Sequence, residues 1–217
     1  MASSKKIDWL NHFLEFIVVI IGILIAFQLN TCSIEKKQSE ILDKHIANII
    51  DETEFNHKRI KEEIGASQTL LNNIDSLISS IKQRKDIRSI NGLSLQLLNF
   101  NNSYIKKNAY NSLVESGDIR FFKDFRKKDE IIQLYEYYRW AEGISEAALE
   151  NYVTYYYPYV LENLDMVSGQ AQDIEVYDNK KFLNILATYS YMMRNRLEKQ
   201  KELAQKTSSF LGKYEQG

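Results

Sequence analysis

Glu54 and His57 stand three positions apart, the Glu-x-x-His spacing with which ferritin-like bundles bring a carboxylate and an imidazole onto one helix face to hold iron. Such a centre takes two of these motifs and two further glutamates. The other histidines, His12 and His45, have Trp9 and Leu42 three positions before them, so the pair is expected on a solvated helix face. Three histidines and one cysteine, Cys32, are too few ligands for structural zinc, and a lone cysteine excludes an intramolecular disulfide. The sequence has no Gly-rich phosphate loop, serine nucleophile elbow or Cys-His motif. The expectation is no catalytic residue, no metal, no cofactor and no enzyme.

The densest aromatic run is Tyr152-Val153-Thr154-Tyr155-Tyr156-Tyr157-Pro158-Tyr159. Tyrosine offers apolar area and a hydroxyl together, so Tyr138, Trp140, Tyr156 and Tyr159 are candidates to line a ligand pocket or a partner-binding patch. The competing reading is that consecutive helical residues point all round the axis, some inward and others shielding the core. A second cluster, Lys123, Arg126, Lys127 and Lys128 beside Phe121, Phe122 and Phe125, has the composition of a lipid-touching segment. Asp124, Asp129 and Glu130 dilute it, and a solvated helix start is the preferred expectation.

The element that must position all of these begins at the other end of the chain. From Trp9 to Leu29 runs a window of 21 residues whose only strongly polar members are Asn11, His12, Glu15 and Gln28. At a rise of ~1.5 Å per residue this length covers a hydrocarbon core of ~30 Å, and Trp9 and Gln28 are suited to its two boundaries. The uninterrupted apolar part, Phe16 to Phe27, is shorter, so a signal-peptide core or a buried helix competes with a span. Lipoprotein processing at Cys32 competes too, but Thr31 is a poor residue before a modified cysteine. Glu15 is costly at membrane depth, where such groups suggest function, yet it is near enough to Trp9 to reach the headgroups. Gly22 and Ala26 form a small-xxx-small pair through which two spans could approach. Lys5 and Lys6 before the window and Lys36, Lys37 and Lys44 after it leave the charge rule for orientation close to a tie.

The run Glu15-Phe16-Ile17-Val18-Val19-Ile20-Ile21-Gly22-Ile23-Leu24-Ile25-Ala26-Phe27-Gln28-Leu29-Asn30 resembles the N-terminal signature of an uncharacterised bacterial membrane-protein family, a domain of unknown function whose span ends Gly-Ile-Leu-Ile-Ala-Leu-Gln-Ile-Asn. Ala109-Tyr110-Asn111-Ser112-Leu113-Val114-Glu115-Ser116-Gly117-Asp118 is similar to a second motif of that family, as is the polar helix running into Tyr137-Tyr138. Where members commonly carry Trp this chain has Cys32, and its N-terminus is less basic than theirs. The resemblance implies an architecture and no activity. It places the N-terminus in the cytoplasm, one span in a bacterial inner membrane and the helical domain in the periplasm.

One proline and eight glycines in 217 residues favour long helices. The expected fold is all-α, with an N-terminal tail over 1–8, a transmembrane helix over 9–29 and an antiparallel helical bundle over 30–217. The spacing of Leu42, Ile46, Ile49, Thr53, His57, Ile60 and Ile64 predicts that the span continues outward as one helix to Gly65. A second helix is expected over Gln68 to Lys85, a turn over Asp86 to Gly92, and shorter pieces over Leu93 to Phe100 and Tyr104 to Glu115, with Gly117 left-handed. A long helix from about Lys123 should kink at Pro158, Leu164 to Asp178 should be a loop, and Lys180 to Leu211 a last helix. Lys and Arg total 28 against 29 Asp and Glu, so nucleic acid is not expected. The expected partners are the lipid bilayer and either a second copy or another envelope protein, with a small-ligand sensor as the alternative function.

Overall fold

The computed structural model describes residues 9–214 apart from Ser103 and Gln172. The N-terminal tail of residues 1–8 lies outside them. Among the described residues the fold is all-α. Helix α1 spans Trp9–Lys82, α2 Ile87–Gln96, α3 Asn108–Glu115, α4 Phe125–Asn151, α5 Tyr157–Asn163 and α6 Lys180–Tyr214. At 74 residues α1 is about 110 Å long and forms the axis of the molecule.

The remaining chain packs against the outer part of α1 as three further columns. Side-chain contacts give their directions. Tyr104, Lys106, Ala109, Asp118 and Lys123 meet Glu63, Asn56, Glu52, His45 and Glu35 in turn, so the second column runs down α1 toward its N-terminal end. Helix α4 then climbs beside α1, with Tyr135 on Glu52, and α6 descends, with Arg194 on Asp75, Gln200 on Glu63 and Thr207 on His57. The result is an up-down-up-down antiparallel bundle. One apolar cluster around Ile49, Ile60, Leu134, Tyr138 and Phe210 lies nearer the bare end of α1; another around Leu70, Ile74, Tyr156, Phe182 and Tyr189 lies farther out.

Helix boundaries differ from the sequence expectation at Gly65, after Lys82 and at the start of α3. Gly65 does not end α1, and the helices expected on either side of it are one. An interior glycine costs only about 1 kcal/mol relative to alanine, while buried positions continue through it at Ile60, Glu63, Ser67, Leu70 and Ile74. Packing on α6 along this whole length outweighs one weak residue, and Thr69 Oγ1 donates to the Gly65 carbonyl at 3.0 Å. The real stop is Gln83 to Lys85. Arg84 takes a left-handed φ of 49°, its amide donates to the Ile81 carbonyl, and the Lys85 amide donates to that of Ser80. This is a Schellman closure without the usual glycine, so the segment expected as a turn, Asp86 to Gly92, is instead the first half of α2.

The second column is interrupted because side chains of α1 replace its own hydrogen bonding. Residues 99–102 and 104–107 are not helical. Asn56 grips Lys106 from both sides, its Nδ2 donating to the carbonyl at 2.8 Å and its Oδ1 accepting the amide at 2.9 Å. Glu63 accepts the Tyr104 amide, and Glu52 accepts the Ala109 amide at the start of α3. These bonds satisfy backbone groups that are part-buried against α1, at about 0.5–1.5 kcal/mol net per bond. Accordingly α3 starts at Asn108 and not at Tyr104.

Expectations held elsewhere. Gly117 is left-handed at φ 75°, and the long helix expected from about Lys123 begins at Phe125, where Asp124, not singled out from the sequence, caps it by accepting the amides of Arg126 and Lys127. Pro158 has no amide to donate back along the helix, and the chain absorbs this over Tyr152–Tyr156 with a wider turn in which the Tyr157 amide reaches the Tyr152 carbonyl.

Candidate functional site

Residues Trp9 to Asn30 form a continuous helix on which no side chain is buried. The segment is long and apolar enough to cross a membrane, and among the described residues nothing covers its apolar window. Trp9, Phe13, Phe16, Ile23, Phe27 and Leu29 all project outward. A methyl group placed on Gly22 would meet nothing, and Ala26 is exposed one turn further along. Glu15 is paired on its own helix, one turn from His12, at 3.3 Å between Oε2 and Nδ1. Gln28 is exposed at the far boundary, and Cys32 is exposed and free. A buried core helix, one of the alternatives for this window, does not describe it within this chain.

The four aromatic candidates do not come together. Tyr138 is fully buried in the cluster nearer the bare helix, edge-on to Tyr135 at 5.2 Å between ring centroids. Burial pushes its hydroxyl pKa upward, and Asn56 and Thr53 draw it partly back. Tyr156 and Tyr159 belong to the outer cluster. The Tyr156 hydroxyl donates to the Ser94 carbonyl at 2.6 Å, and that of Tyr159 donates to the Val176 carbonyl at 2.7 Å while accepting from Asn179. Their function is to tie α2 and the 164–178 segment to the bundle. Trp140 alone of the four is at the surface, 45% exposed. It lies edge-on to Tyr137, with the Lys199 ammonium 4.6 Å from its ring, and the Tyr137 hydroxyl donates to Glu202.

The Glu54 and His57 pair is also separated: Glu54 is exposed, while His57 Nδ1 lies 2.7 Å from Thr207 Oγ1. Among the described residues no group of His, Cys, Asp or Glu is arranged to hold a metal ion. Burial, and after it the charge of Lys61, hold the His57 pKa below its usual 6.5. The unfolded chain therefore takes up this proton first. The contribution of the neutral ring is complete above 6.5 and is lost as pH falls through the lowered value. Thermal unfolding followed from about pH 7 to about pH 5 is expected to show a declining midpoint, and His57→Gln should flatten that decline.

Sequence reasoning missed the polar face of α1. Glu52, Asn56, Glu63 and Ser67 are buried beside the apolar stripe of Ile49, Thr53 and Ile60. Tyr135 Oη donates to Glu52 Oε1 at 2.5 Å, and burial, then Glu52, raise the Tyr135 pKa. Opposite Glu63 is Arg196, 1% exposed, which donates to the Asn101 carbonyl at 2.6 Å and lies over the Phe100 ring. The signal was present: steps of four and seven put these polar residues on the same side of α1 as the stripe. The arrangement ties the second, third and fourth columns of the bundle to α1.

No protein-family model, curated protein or solved structure matches the chain.

Proposed function

We propose that this protein is a single-span membrane protein whose first helix carries a helical bundle away from the bilayer as a non-enzymatic interaction module of a bacterial envelope. The observation that carries the reading is the unbroken passage of α1 from a bare apolar segment into a bundle core. A helix of this kind transmits position and orientation from the membrane without a flexible joint. The N-terminus is cytoplasmic, the membrane is the inner one and the bundle is periplasmic, as the family resemblance implies. The partner is another envelope protein or a second copy. Tyr157, Leu161, Met166 and Val167 support this, since they are apolar and exposed on α5 and the loop after it, toward the end of the bundle remote from the bare helix.

A pair of fusions at Gly217, one to alkaline phosphatase and one to a fluorescent protein that matures only in the cytoplasm, tests the sidedness. An active phosphatase with a dark fluorescent fusion is expected. The reverse would place the bundle in the cytoplasm. Native electrophoresis of the detergent extract tests the interaction itself: a lone monomer with nothing bound would count heavily against it.

A further inference from the structure

The basic, phenylalanine-bearing segment at the start of α4 was expected to be a solvated helix start, and its place in the fold gives it a second partner. Lys123 Nζ bonds to Glu35 Oε2 at 2.9 Å. Glu35 is six residues beyond Leu29, about 9 Å along the helix. The headgroup layer on each side of a bilayer is about 5–8 Å deep. The turn before α4 therefore lies just outside the headgroup layer, within the reach of a long side chain, if α1 spans from Trp9 to Leu29.

The chemistry of the segment fits that height. Phe125 is 71% exposed although it is the first residue of a helix that buries other aromatics. Lys123, Arg126 and Lys127 are exposed around it. Residues 118–130 hold Arg120, Lys123, Arg126, Lys127 and Lys128 against Asp118, Asp124, Asp129 and Glu130, and Glu130 is paired with Lys213. Asp118 is bonded to His45 and Asp124 caps α4. Lys123 is held by Glu35, while Arg126 and Lys127 remain exposed beside Phe125, and an exposed aromatic ring among cations is what binds an interface of apolar chains and anionic phosphates.

We infer that the segment from Lys123 to Lys127 rests on the bilayer, with the Phe125 ring in the interface and the neighbouring cations on anionic phospholipid headgroups. The bundle then has two attachments to the membrane, the span and this foot, and its tilt is fixed. The inference rests on the single-span reading.

The full-length chain in nanodiscs tests it, with Trp9→Phe and Trp140→Phe removing the native tryptophans. A single reporter is introduced as Phe125→Trp, Ile23→Trp or Val167→Trp, and quenching by brominated lipid is measured in phosphatidylcholine with and without phosphatidylglycerol. The expected result is quenching at positions 23 and 125 but not at 167, stronger at 125 with phosphatidylglycerol. Lys123→Glu, Arg126→Glu and Lys127→Glu together should reduce it at 125 to the level seen at 167. Quenching at 23 with none at 125 would overturn the foot and leave the span standing. Quenching at 125 that ignores both phosphatidylglycerol and charge reversal would overturn the headgroup contact. No quenching at 23 would remove the span and the foot with it.

Discussion

Val19→Arg together with Ile23→Arg is expected to move the protein from the membrane pellet to the soluble fraction while leaving the bundle folded. Each arginine at the centre of a span costs about 2.5–3.5 kcal/mol on insertion scales, so the pair opposes insertion by about 5–7 kcal/mol. The bundle should not register the change. No side chain from Trp9 to Asn30 is buried, and Ile49 is the first fully enclosed residue of α1. Unfolding of the outer domain should therefore stay within about 0.5 kcal/mol of the parent, as for surface substitutions. Fractionation with intact mass measurement separates the alternatives. If the apolar segment is a removed signal, the parent itself is soluble and lighter by that segment. If the doubly substituted chain stays in the pellet, the segment is not what holds it there.

The long elements were legible because they obey one periodicity. The stripe from Leu42 to Ile64 and the inner face of α6 through Phe182, Leu186, Tyr189, Met193 and Leu197 are where the spacing put them. Pro158 and Gly117 act through backbone chemistry that any context preserves. What was not legible depends on partners remote in sequence. Gly65 looks like a stop until α6 is laid along both sides of it, and the closure at Arg84 carries no glycine to announce it.

The candidate tyrosines show the same limit. The run from Tyr152 to Tyr159 is unusual in composition, and composition alone gives a tyrosine no direction. Ser94 and Val176, 62 and 17 residues away, decide that Tyr156 and Tyr159 turn inward. The interrupted second column is the clearest case: nothing within residues 99–102 and 104–107 says that they avoid a helix. Asn56 and Glu63 say it, by supplying from α1 the hydrogen bonds that a helix would have made for itself.

Those polar contacts set the second large prediction. Arg196→Met is expected to destabilise the bundle by about 1–3 kcal/mol, the cost of leaving the part-buried Asn101 carbonyl without its donor. Burial lowers the Arg196 pKa, and the first opposing influence is the charge of Glu63. Methionine fills the space but leaves the Glu63 carboxylate, 7% exposed, without that charge and the Asn101 carbonyl without its donor. The carboxylate keeps its bonds from Gln200 and from the Tyr104 amide. Glu63→Gln on top of Arg196→Met should then recover part of the loss, because the residue left behind is neutral. Denaturant unfolding of the parent, both single variants and the double variant gives the coupling directly. A coupling of about 1–3 kcal/mol, in the range found for contacting groups, is expected. Additive losses would mean that Arg196 acts independently of Glu63, and that the descent of the second column along α1 is held without coupling between these two groups.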